Sequence, residues 1–116
     1  MKKEENVDEI CRNILEMVSS DIVSMAELRQ LFDDLSCSLC DTNGLLKSVL
    51  LRVLESGVEI GCAINRNGNY VEFIGWQGSS DAKVARALAL VSSDPGDADY
   101  GVWLAWRANV DCYEAL

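Results

Sequence analysis

The apolar positions of this chain change period about halfway along it. Val7, Ile10, Cys11, Ile14, Leu15 and Val18 recur at helical spacing, so residues 6–18 predict an amphipathic helix with one apolar stripe. Ser24-Met-Ala-Glu27 has the form of a capping box, in which each side chain satisfies the other residue's backbone N–H. The helix it opens turns Leu28, Leu31, Phe32 and Leu35 inward. Residues 36–44 read as a loop, and Asp41 or Thr42 caps a third, largely aliphatic helix over 43–56 that stops at Gly57.

From residue 57 the pattern becomes that of strands. GVEIGCAINRNGNYVEFIGWQG (57–78) sets two β-branched runs on either side of Asn67-Gly68, a strong short-range hairpin signal. A two-residue type I′ turn at Asn67-Gly68 would place Ile64 opposite Val71, Cys62 opposite Phe73 and Ile60 opposite Gly75. The other side would pair Ala63 with Glu72, Gly61 with Ile74 and Glu59 with Trp76, a mixed face open to another element or to a partner. Residues 79–93 predict a fourth helix, capped by Ser79 or Ser80, with Val84, Leu88 and Val91 inward. An acidic turn-rich stretch, SSDPGDAD, leads to an alternating segment, Tyr100–Val110, that reads as a third strand beside the hairpin. The final DCYEAL reads as a short helical turn or a loose end. The expected class is α+β in a single domain (1–116): three N-terminal helices, a hairpin plus one further strand as a small antiparallel sheet, and one helix between.

Charge narrows the function classes. Nineteen acidic residues against ten Lys and Arg give a net charge of −9, and the cations are spread along the chain. Nucleic-acid binding draws most of its affinity from cations placed on phosphates, so no nucleic-acid partner is expected. The helix–hairpin order outlines a winged-helix DNA binder, but the third helix, LLKSVLLRVLES, offers few groove-reading side chains, and Arg66 alone would serve a wing. The balance suits a basic protein partner. The start of the chain lacks an apolar run of signal-peptide length and no stretch approaches membrane-spanning length, so a cytoplasmic protein with no membrane partner is expected.

The chemistry-bearing residues point away from catalysis. With no histidine there is no His-based general base or Ser-His-Asp triad. Gly44-Leu-Leu-Lys-Ser48 keeps only the tail of a phosphate-binding loop, and Asp94, Asp97 and Asp99 miss the calcium-loop spacing. Cys37-Ser-Leu-Cys40 is one C-x-x-C with no second pair, so no metal site and no cofactor are expected. The candidate partner-binding residues are the aromatics Tyr70, Trp76 and Tyr100, which could anchor an interface, with Glu72 on the hairpin and Asp94, Asp97 and Asp99 on the acidic loop.

Val58-Glu-Ile-Gly61, Phe73-Ile-Gly-Trp76, Arg86 and Val102-Trp-Leu104 occur in this order after an aliphatic helix. Over about residues 40–107 the chain resembles the winged-helix-like immunity proteins that accompany bacterial polymorphic toxins, including those of contact-dependent growth inhibition. The resemblance implies a cytoplasmic antitoxin, not an enzyme, that neutralises a cognate toxin C-terminal domain by direct binding. Many such toxins are nucleases or other basic domains. A nucleic-acid-mimicking anti-defence inhibitor of the phage type is the alternative, followed by a winged-helix regulator. The mixed outer face of the hairpin leaves room for a homodimer.

Overall fold

A computed structural model describes residues 2–34, 44–66, 70–94, 96, 100–110 and 112–114, with side chains from Val7 onward except those of residues 65, 66, 70 and 71. The Asn67-Gly68 turn, Leu35, Cys37, Cys40, Asp97 and Asp99 lie outside the described residues. The chain runs α1 (Lys2–Ser20), β1 (Val23–Ser24), α2 (Met25–Asp34), α3 (Leu45–Glu55), β2 (Val58–Arg66), β3 (Tyr70–Gly75), α4 (Ser80–Ser93), β4 (Trp103–Trp106), a 3-10 turn (Arg107–Asn109) and β5 (Cys112–Tyr113). The class is α+β.

The helices form where local signals and apolar periodicity agree. Ser24 Oγ accepts a hydrogen bond from the Glu27 amide at 3.2 Å and so caps α2. Ser79 does the same for α4, accepting from Ala82 N at 3.2 Å. Helix α3 follows Gly44 in the left-handed region and ends just before Gly57, also left-handed, where a side chain would be strained. Six of its eleven residues, Leu45, Leu46, Val49, Leu50, Val53 and Leu54, are buried, because α3 lies between α1 and α4 and against β2. Its neighbour α1 contributes Val7, Ile10, Cys11, Ile14 and Val18 to the same core.

The sheet is larger than the three strands expected. Its order is β1-β4-β2-β3-β5. Strand β4 joins the hairpin as expected, pairing antiparallel with β2 through Val58↔Trp106 to Gly61↔Trp103. Two short edge strands were not legible. Val23 and Ser24 pair with Leu104 and Trp103, and Cys112 and Tyr113 run parallel to Ile74 and Gly75. Cys112 and Tyr113, in the tail read as a short helical turn or a loose end, are therefore part of the sheet.

The hairpin exists, with a register one residue from the expected one. Cys62 faces Ile74, Ala63 faces Phe73 and Ile64 faces Glu72; Arg66 pairs with Tyr70, so three residues separate the strands. A one-residue slip exchanges the faces of β3. The Trp76 amide donates to Ile60 O at 2.9 Å, and Trp76, 1% exposed, joins Val58, Ile60, Leu104 and the helices in the main core. Burial of the indole on the helical side outweighs the local preference of Asn-Gly for a two-residue turn. Phe73 and Ala105 are also buried, but on the opposite face, outside that core.

Against that second face lie the described residues of the closing segment, 107–110 and 112–114, a strap whose Val110 and Tyr113 side chains pack over Gly75. Gly61 and Gly75 face each other beneath it. A Cβ on Gly75 would lie 2.7 Å from the Tyr113 ring and 3.5 Å from Val110 Cγ1, so the strap needs glycine there to reach the backbone. A Cβ on Gly61 would collide with the carbonyl of Ile74.

Candidate interaction site

The expected interface residues separate into distinct places. Trp76 is a core residue, and its burial removes it from any contact surface. The guanidinium of Arg86 covers its ring at 4.0 Å from the centroid, a cation–π contact. Tyr70 opens β3 opposite Arg66. Glu72 is half-buried, opposite Ile64 on the side of the sheet that carries the helices, not on the outer face.

The acidic-loop candidates fare differently. Asp94 is exposed at the C-cap of α4, its amide donating to Leu90 O at 2.9 Å. Tyr100 is 71% exposed, a large value for an aromatic ring. Its carbonyl accepts the indole N–H of Trp103 at 2.9 Å, which fixes the backbone at the start of β4. Tyr100, Leu90, Gly96 and Gly101 line a shallow open depression of about 550 Å³. Asp94 Oδ1 lies 3.7 Å from where a Cβ on Gly96 would sit, so Asp94 borders the depression that Gly96 and Tyr100 line. An exposed ring on a depression with a carboxylate at its border is suited to the aliphatic stem and charged head of a Lys or Arg from another protein.

The polar centre of the molecule lies elsewhere, around Glu59. Glu59 on β2 is 7% exposed. Its Oε1 accepts from Lys83 Nζ of α4 at 3.0 Å, and its Oε2 accepts from Arg107 Nε at 3.2 Å and from the Tyr113 hydroxyl at 3.3 Å. One carboxylate thus ties β2 to α4 and to both ends of the strap. Burial, and then the charge of Glu59, push the Tyr113 hydroxyl above its usual pKa. At the strap's end the Glu114 amide donates to Gly75 O at 2.9 Å, and Glu114 Oε1 accepts from Arg86 Nη1 at 2.7 Å and from Gln77 N at 3.2 Å. Those bonds, Arg86 first, hold the Glu114 carboxyl below its usual range. The arrangement locks the strap. The one sequence-level sign of it is a lone carboxylate inside an apolar strand run, Val58-Glu59-Ile60.

Among the described residues, no group of three or more His, Cys, Asp or Glu could hold a metal ion. Cys11 is buried, with Sγ directed at Val49 O at 3.8 Å, and burial raises its pKa to about 11; Cys62 is half-buried, and Cys112 is exposed with its Sγ directed at Glu72 Oε1 at 3.8 Å. No described helix is long and apolar enough to cross a membrane. No family model, curated protein or solved structure matches the chain.

Proposed function

We propose that this chain is an immunity protein that binds a basic bacterial toxin domain and neutralises it, with Tyr100 and Asp94 at the centre of the contact. The observation that carries the reading is the exposed ring of Tyr100 on a depression bordered by Asp94, in a chain of net charge −9. Several of its cations are also committed internally: Arg52 to Asp8, Lys83 and Arg107 to Glu59, and Arg86 to Glu114. A carboxylate-rich surface accelerates encounter with a basic partner, and an exposed ring supplies desolvated contact area at low entropic cost. The aspartates at 97 and 99 belong to the same segment of sequence and add to its charge. Localisation in the cytoplasm follows from this role.

The reading includes a winged-helix-like arrangement in which β2 and β3 take the place of the wing. The helix that would enter a groove, α3, gives six residues to the core and its Arg52 to Asp8, which favours a protein partner over duplex DNA. Co-expression with the product of the adjacent upstream gene, followed by titration calorimetry, tests the proposal. A tight complex is expected, weakened by salt and weakened roughly tenfold to a hundredfold by Tyr100→Ala or Asp94→Lys. A chain that ignores that product and instead retains duplex DNA at about 0.15 M salt would overturn it.

A further inference from the structure

The hairpin projects beyond the rest of the sheet. Strand β2 runs to Arg66, whereas its pairing with β4 stops at Gly61 opposite Trp103. The direction of its backbone groups follows from two hydrogen bonds. The Trp76 amide donates to Ile60 O, and Cys62, Ile64 and Arg66 pair with β3 in the same register; the even-numbered residues therefore aim N–H and C=O at β3. The Arg107 amide donates to Gly57 O at 2.9 Å on the β4 side, so the odd-numbered residues aim away from β3. Past Gly61 this leaves the N–H and C=O of Ala63 and Asn65 on an open edge. Among the described residues, no strand meets them. Ile64 between them is 36% exposed, one of the few large apolar side chains so placed.

We infer that this edge is the contact between two copies of the chain, paired antiparallel through residues 62–66 about a two-fold axis at Ile64. Self-pairing in that register sets Ala63 opposite Asn65 of the second copy and Asn65 opposite its Ala63. All four open groups on each copy are then satisfied, and a two-fold axis repeats the contact without leaving a new edge. Ile64 faces Ile64 of the second copy at the non-hydrogen-bonded position, where side chains approach most closely. Charge also favours this segment. CAINR carries one cation and no carboxylate, so in two chains of net charge −9 the paired segments oppose no carboxylates of their own. Lysine and proline, the usual guards of an edge strand, are absent from it. Five residues a side make a small interface, so the dimer is a weak one, populated at concentrations on the order of 100 µM and above.

Residue-resolved amide exchange and light scattering on the full chain, over a roughly hundredfold range in concentration, test the inference. As the mass rises toward that of a dimer, the Ala63 and Asn65 amides are expected to slow by about tenfold, while those of Cys62, Ile64 and Arg66 stay constant. Ile64→Lys, at an exposed position, is expected to keep the monomer's circular dichroism and abolish both effects. A mass that stays monomeric with concentration-independent Ala63 and Asn65 rates would overturn the inference. So would a dimer that survives Ile64→Lys, or protection of those amides that appears only with a different protein. None of these outcomes bears on toxin binding at Asp94 and Tyr100.

Discussion

Glu59 shows how much one side chain can hold together in a chain of 116 residues. Its bond to Lys83 joins two side chains with 9% and 13% exposure, so little water screens it. The bond to Arg107 reaches a guanidinium that is 63% exposed and adds less. Glu59→Ala leaves the Lys83 ammonium buried without its partner. It is expected to lower unfolding free energy by about 2–4 kcal/mol in urea titration, with Glu59→Gln costing less because an amide oxygen still accepts from Tyr113. At this scale the sequence reveals only what is local. Ser24 and Ser79 are recognisable as caps because their partners lie three residues ahead. Glu59 looked like one of a mixed outer face because Lys83, Arg107 and Tyr113 lie 24, 48 and 54 residues away.

Among the elements, the strap has its own response to pH. Glu114 has a lowered carboxyl pKa, so its contribution is present above the usual carboxylate value and is lost as pH falls through the lowered one. Tyr113 has a raised pKa, so its contribution is present below the usual tyrosine value and is lost as pH climbs through the raised one. The strap is therefore expected to release at both extremes before the paired core of β2 and β4. In an NMR titration the Tyr113 and Glu114 amides should reach unstructured shifts while those of Ile60 and Leu104 keep theirs. Simultaneous loss of all four would refute an independent strap. The hairpin was legible as an element and not in its register. A turn motif reports three or four residues, whereas the pairing of Trp76 with Ile60 is decided by the core that receives the indole. The strands β1 and β5 were invisible for a related reason: two residues are too few to show alternation.

Across the whole molecule, acidity is the dominant property. Like charges repel in the folded chain, and the ion pairs Arg52–Asp8 and Arg86–Glu114 are too exposed to offset this by much. Raising sodium chloride from about 10 to 200 mM is thus expected to raise the thermal midpoint by a few degrees in calorimetry, since screening relieves the repulsion. A falling midpoint would mean that ion pairs outweigh net charge. The α+β class and the order of the principal elements were readable from periodicity alone. The position of α3 at the centre of the helical layer was foreshadowed by its seven aliphatic residues among 45–56, but its neighbours α1 and α4 were not, because periodicity does not say which face meets which.

The short pairing of Val23 and Ser24 with Leu104 and Trp103 also bears on how the chain reaches this state. Strand β4 is the bridge between β1 and β2, and it joins residues some eighty positions apart in sequence. Contacts so distant close a large loop, and topologies rich in them fold slowly. The helices can gather early from neighbouring sequence, but the sheet stays split until the segment around Trp103 arrives. During that interval both long edges of the hairpin are bare, and a crowded nascent chain has its greatest opportunity to pair wrongly.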